Sequence, residues 1–221
     1  MNESLQAQII SELLKINAVS VTPTKPYRYA SGMLSPIYTD LRMTISAPRL
    51  RHHIVAGLVM MIQKHYPTVT AIGGVATAGI PHAAWVADVL NLPLVYIRAK
   101  AKDHGAGKQI EGTLTADDQV VLIDDLISTG GSVLKTVAPV EATGAKVLGV
   151  AAIFSYALPD ATTNFAKQQL PLAPVITYPQ LLKYLQQQTV LSATALASAK
   201  AWHQDPWHWQ PAVNAIQAEE D

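Results

Sequence analysis

VVLIDDLISTGGS, running from Val120 to Ser132, reads as a buried strand that ends in two aspartates and turns into a helix. Val120 to Ile123 are continuously apolar, as expected of a parallel strand covered on both faces. In open parallel sheets ligands bind just beyond the carboxyl ends of the strands, where Asp124 and Asp125 stand. Two acids at that place are unfavourable in a plain core. The residues that follow, Ser128, Thr129, Gly130, Gly131 and Ser132, suit a phosphomonoester. Backbone N–H groups freed at a helix start face an anion, and glycines let the chain approach it closely. The hydroxyls add hydrogen bonds. The bland alternative is a strand–turn–helix whose Ser or Thr merely caps the helix.

The aspartates have a different task. A carboxylate accepts from vicinal ribose hydroxyls, and its charge favours a sugar that becomes positive as its anomeric bond breaks. Successive strand residues point to opposite faces, so Asp124 and Asp125 serve the ligand and its surroundings separately. A Walker loop is excluded, because Ser132 stands where that pattern needs Lys. The dinucleotide fingerprint is absent, and GGVATAG (Gly73 to Gly79) is only a glycine cluster.

Outward from this segment the pattern alternates short apolar runs with helical stretches, which predicts an α/β domain with a largely parallel sheet. Strands are expected at Val69 to Gly74, Pro93 to Arg98, Gln119 to Asp125 and Lys146 to Tyr156, with a short apolar run at Val175 to Tyr178. Helices are expected from Met1 to Ile16, from a Ser46 N-cap with Pro48 in the first turn to about Tyr66, from Gly79 to about Leu90, and from Gly130 to Thr143. Further helices fall near Asp160 to Gln169 and in two stretches ending near Trp202. Val19 to Pro26 reads as a turn-rich connection. Tyr27 to Ser31 and Ser35 to Arg42 read as extended segments around a turn at Gly32. The tail WHQDPWHW, Trp202 to Trp209, reads as a packed cap or a subunit contact.

Bulk properties narrow the classes. The 221 residues are 49% hydrophobic, enough for one domain with a core, and 16 basic residues balance 16 acidic ones. That balance gives no overall basic field for nucleic acid. The lack of cysteine removes thiolate metal sites and cysteine nucleophiles. No secretory signal or membrane-spanning run is evident, so a cytoplasmic protein is expected. The seven histidines show no zinc spacing; adjacent His52 and His53 would point about 100° apart on a helix. Charge is concentrated at Arg98 to Gly112, with Arg98, Lys100, Lys102, His104 and Lys108 among Gly105, Gly107 and Gly112. By composition alone this is a solvated connection.

The Val120 to Ser132 segment resembles the phosphoribosyl diphosphate (PRPP) signature of type I phosphoribosyltransferases. SGMLSPIYTDLR (Ser31 to Arg42), ATAGIPHA (Ala76 to Ala83) and RAKAKDHGAG (Arg98 to Gly107) resemble, in order, the orotate-specific branch of that family. The likeness runs to Tyr156 and is only general beyond it. It implies the type I phosphoribosyltransferase fold: a mainly parallel sheet flanked by helices, under a small N-terminal hood. One domain would comprise hood elements over about 1–45, a core over about 46–156 and a C-terminal cap over about 157–221.

The resemblance also implies transfer of phosphoribose from PRPP to orotate in pyrimidine nucleotide synthesis, with Mg²⁺ carried mainly by the diphosphate and by water. No protein metal ligand is assigned. PRPP would be bound by Thr77, Arg98, Lys102, His104 and the run Asp124, Asp125, Leu126, Ile127, Ser128, Thr129, Gly130, Gly131 and Ser132. Lys102, His104, Asp124 and Asp125 would carry the catalysis, and Ser128 would contact orotate. Arg98, Lys102 and His104 would reach the partner's site in a homodimer, so PRPP, orotate and a second copy are the expected partners. Neither nucleic acid nor membrane is expected as a partner. Ala99 and Ala78 stand where many relatives have Lys, and Tyr156 stands about where one branch has Arg. Thr77 and backbone N–H groups would then hold the diphosphate with Mg²⁺, and Arg42 is a candidate cation for the orotate carboxylate. The rivals are a purine-base phosphoribosyltransferase and a non-catalytic PRPP-binding regulator.

Overall fold

A computed structural model describes residues 3–29, 32–100 and 109–211. In chain order the elements are α1 (Glu3–Lys15), β1 (Val19–Val21), β2 (Tyr27–Arg28), β3 (Leu34–Ser35) and β4 (Ile37–Thr39). A 3-10 turn (Leu41–Ser46) leads to α2 (Pro48–His65), β5 (Ala71–Val75), α3 (Gly79–Leu90), β6 (Leu94–Ile97) and β7 (Ile110–Glu111). There follow β8 (Gln119–Ile127), α4 (Gly131–Leu134), α5 (Val137–Glu141), β9 (Lys146–Ser155) and α6 (Pro159–Lys167). The chain ends in β10 (Leu172–Thr177), α7 (Tyr178–Gln187) and α8 (Ala193–Gln204).

Six strands form one sheet in the order β10-β9-β8-β5-β6-β7, parallel except for the short antiparallel edge β7. The α/β class expected from the sequence is therefore what the chain adopts. Alternation along β8 explains why both faces are covered. Val121 and Ile123 pack with α1, α2, α3, α7 and α8 in one apolar cluster. Val120 and Leu122 pack with Val133, Val137, Val140 and Phe165 in the other. Two small antiparallel pairs, β1 with β4 and β2 with β3, stand apart from the main sheet.

Strand order reverses between β5 and β8. From β5 the chain passes through α3 to β6 on one side; β8 lies on the other side and leads through α4 and α5 to β9. The loops leaving β5 and β8 therefore diverge, and a crevice opens at the carboxyl ends of these two strands. Close packing brings them together there: a Cβ at Gly79, the first residue of α3, would run into the Ile123 carbonyl oxygen.

Several local expectations are corrected. The helix expected over Gly130 to Thr143 is two short helices. Thr136 donates its hydroxyl to Val133 O at 2.6 Å, and Pro139 has no N–H for the carbonyl of Lys135. Ser46 does not cap α2; it closes the 3-10 turn, and Ala47 occupies the cap position without a side-chain bond. Val19–Val21, within the expected turn-rich connection, is strand β1, because Ile37–Thr39 pairs with it from across the hood. Ser35 to Arg42 is not one extended run, since it breaks into β3, β4 and the start of the 3-10 turn. The turn at Gly32 is present: its φ is +87° and its N–H bonds Tyr29 O at 2.8 Å.

Of the tail tryptophans, Trp202 and Trp209 are buried. Their indole N–H groups donate to Leu34 O at 3.0 Å and Ser198 O at 2.9 Å, which fits the packed-cap reading. Trp207 remains 55% exposed.

Candidate active site

β8 delivers its two acids to the crevice in unlike surroundings. Asp124 is 7% exposed, and its Oδ1 accepts from Asp125 N at 3.0 Å. Burial, reinforced by the neighbouring Asp125 charge, raises its pKa well above the ordinary carboxylate range. Asp125 is partly exposed, and its Oδ1 accepts from Leu126 N at 2.9 Å. Asp124 pairs with Ala152, whose side chain lies in the α4–α5–α6 cluster. The charge of Asp125 is felt instead by His82 and Arg42, on the hood side.

Beyond the acids the chain turns through Ser128 and Thr129, both half-buried, to Gly130 and the N-terminus of α4. Gly130 has φ +78°, and a Cβ there would strike the Phe165 ring at 2.5 Å. Only glycine fits both the left-handed backbone and the close approach of α6. Asn164 of α6 also holds the turn, donating to Thr129 O at 3.0 Å. A Cβ at Gly131 would meet only Thr129 Oγ1, at 3.7 Å, and Ser132 is exposed. The turn is thus braced from beneath by α6 and uncrowded at its Gly131–Ser132 end, as an anion-binding loop requires.

The other loop of the crevice contains Ala76, Thr77 and Ala78, with a cis peptide between the first two. Thr77 is exposed. Behind it lies His82, fully buried, with Nδ1 3.3 Å from Ala78 O and Nε2 3.0 Å from Thr44 Oγ1. Burial lowers the His82 pKa, so a neutral ring is favoured. The Thr44 hydroxyl donates to Leu41 O at 2.6 Å, so toward His82 its oxygen is an acceptor, and the shorter contact is made with the ring proton on Nε2. His82 therefore ties the 3-10 turn of the hood to the β5 loop. Among the described residues no group of three or more metal-ligating side chains occurs.

Hydroxyl groups join the hood to the end of β9. Tyr156, 3% exposed, has its hydroxyl 2.6 Å from Thr39 Oγ1 and 3.0 Å from the Tyr29 hydroxyl. Tyr29 also reaches Ile37 O at 2.7 Å, and Ser35 Oγ lies 3.1 Å from the Tyr29 oxygen. Burial raises the pKa of both tyrosines, so they act as neutral hydrogen-bonding groups. Tyr156 is locked further by edge contacts with Phe154 and Trp202.

Asp124, Asp125, Leu126 and Ile127 at the end of β8, Ser128, Thr129 and Gly130 in the turn, Gly131 and Ser132 at the start of α4, and Thr77 in the loop after β5 thus stand at the same carboxyl-end crevice. Arg98 lies at the foot of the basic loop, where its N–H donates to Gln109 O at 2.9 Å and its Nη1 is 3.4 Å from Glu111 Oε1. Lys102 and His104 lie outside the described residues. Sequence reasoning missed Thr44 and the Ser35–Thr39–Tyr29–Tyr156 network, and weighed His82 only as a metal ligand. The available signal was weak: Ser35, Ile37 and Thr39 recur at period two, which places them on one face of an extended chain.

Residues 51–170 match the family described as phosphoribosyl transferase domain. The chain is 58% identical over 202 residues to the orotate phosphoribosyltransferase of Levilactobacillus brevis, covering 91% of this chain and 96% of that one. It is 54% identical over 205 residues to the orotate phosphoribosyltransferase of Lactiplantibacillus plantarum, covering 93% and 97%. Among solved structures, the orotate phosphoribosyltransferase of Aeropyrum pernix superimposes with a TM-score of 0.70 at 26% identity, over 83% of this chain and 99% of that one.

Proposed function

The chain belongs to the orotate phosphoribosyltransferase family, and on that premise we propose that it joins orotate to the phosphoribosyl group of PRPP. N1 of orotate attacks the anomeric carbon as the bond to diphosphate breaks. The products are orotidine 5′-phosphate and diphosphate, and the reaction serves pyrimidine nucleotide synthesis. The observation that carries this reading is the pairing, at one strand end, of two carboxylates with an open, glycine-bearing loop at a helix start.

In this reading the stretch from the end of β8 at Leu126 to Ser132 holds the 5-phosphate through its N–H groups and hydroxyls. Asp124 and Asp125 accept from the ribose hydroxyls, and their charge favours the sugar as it becomes cationic. Ser128 contacts the base. The residues present fit Mg²⁺ in its sparse mode, one or two carboxylates with phosphate oxygens and water completing the shell. Asp124, Asp125 and the exposed Thr77 hydroxyl would flank it, and the ion would offset the charge of the diphosphate. Arg98, Lys102 and His104 would meet the departing diphosphate in the active site of a second copy, so the working unit would be a homodimer in the cytoplasm. For this, Arg98 must exchange Glu111 for phosphate. No helix of the described residues is long and apolar enough to cross a membrane.

The reading is tested by offering orotate, uracil, adenine, guanine and hypoxanthine together, with PRPP and Mg²⁺, and separating the nucleotides formed. Orotidine 5′-phosphate alone is expected; a purine nucleotide in its place would overturn the proposal. For the shared loop, Lys102→Ala chains mixed with Asp125→Asn chains should regain activity. None regained after proven subunit exchange would rule out catalysis in trans.

A further inference from the structure

Orotate differs from uracil by one carboxylate, and a site that selects it needs a cation with a free, fixed pair of donors. We infer that Arg42 grips this carboxylate and so decides between orotate and bases that lack the group. The inference rests on the orotate reading and adds to it the residue that makes the choice.

The described arginines around the crevice are mostly committed elsewhere. Arg98 pairs with Glu111, Arg49 with Glu12, and Arg51 lies 4.5 Å above the Trp85 ring while bonding Ile45 O. Tyr156 is neutral, buried and saturated with hydroxyl contacts. Arg42 is different. Its Nε and Nη2 meet the two oxygens of Asp40 at 2.7 and 2.9 Å, which occupies one edge of the guanidinium. A guanidinium has five N–H donors, and the edge formed by Nη1 and Nη2 can take a second carboxylate side by side. The side chain is 68% exposed, so that edge is reachable.

Its support is rigid. Leu41 and Thr44, on either side in the 3-10 turn, are buried; Thr44 bonds Leu41 O at 2.6 Å and His82 at 3.0 Å. Asp40 N is tied to Ala18 O at 2.8 Å. Asp40 thus aims the guanidinium, and His82 fixes the turn that carries it to the β5 loop. The turn packs against β8, and the Asp125 charge adds to the field that keeps Arg42 protonated. Asp125 faces the ribose in the proposed reaction, and the base is attached to that ribose. A carboxylate on the base therefore falls on the hood side, toward Arg42.

The test is calorimetric titration of the full chain with orotidine 5′-phosphate and with UMP, which differ only in the carboxylate. Wild type should prefer orotidine 5′-phosphate. Arg42→Gln should reduce that preference about 10- to 100-fold, the worth of a hydrogen-bonded charge pair, with UMP affinity held within about twofold. Arg42→Lys should recover only part, since it restores charge without the two-point geometry. Arg28→Gln, changing the exposed hood arginine that bonds Gly32 O, should leave the preference intact. Undiminished preference in Arg42→Gln, or its loss in Arg28→Gln instead, would overturn the assignment. A wild type that binds UMP as tightly would sink the orotate reading itself, and this inference with it.

Discussion

The phosphate side of the crevice lies in one unbroken stretch, Val120–Ser132, whereas the base side is gathered from residues far apart in the chain. Thr39 meets Tyr156 across 117 residues, and Thr44 meets His82 across 38. The first side is set by local geometry: a strand ends, its acids face the crevice, and a glycine turn starts a helix. The second side exists only after the hood has folded onto β9 and α3. A change to a ligand-facing acid on the phosphate side should therefore strike chemistry while sparing the fold, whereas Gly130, set against Phe165, ties that side to α6. A change on the base side should cost stability and base recognition together.

The largest effect is expected at Asp125. Asp125→Asn should lower kcat/KM for PRPP about 10²- to 10³-fold, the scale of one removed electrostatic stabiliser. The melting temperature should hardly change, because Asn still accepts from Leu126 N. A collapse in stability would show that Asp125 itself is held in place by tertiary contacts.

Gly130→Ala combines a left-handed backbone with a clash against Phe165, so it should cost about 1–3 kcal/mol by thermal unfolding. Weakened PRPP affinity should accompany that cost. Tyr156→Phe strands partners in the buried network and should cost about 1–3 kcal/mol. Its KM for orotate should rise while its KM for PRPP holds. Equal changes in the two would erase the distinction between the sides.

The smallest effect has the opposite sign. Asp124 has a raised native pKa, so the folded chain holds a proton that the unfolded chain has released between the ordinary carboxylate range and the raised value. Stability contributed by that proton is full at low pH and lost as pH rises through the window. Asp124→Asn should therefore melt higher than wild type at pH 8, with little difference at pH 4, while losing activity. A gain of about 1 kcal/mol would appear as about 2–4 °C.

The same contrast governs what could be read from the sequence. The apolar run Val120–Ile123, the acids and the glycines announce β8, its crevice and the helix start, because each follows from neighbours in the chain. Strand β1 was invisible, since Val19–Val21 becomes a strand only through Ile37–Thr39. The break between α4 and α5 has a local cause in Thr136 and Pro139, which the helical apolar spacing of Gly130 to Thr143 masks. His82 looked like any histidine after a glycine loop until Thr44 and Ala78 came to its two nitrogens. Tyr156 could be marked as a departure from its relatives, but its hydroxyl partners could not be named.

The most direct test of the central claim is the absorbance of orotate after PRPP and Mg²⁺ are added to the purified chain. The account predicts a fall that requires both additions and yields orotidine 5′-phosphate. Unchanged absorbance from a folded protein that binds PRPP would contradict it.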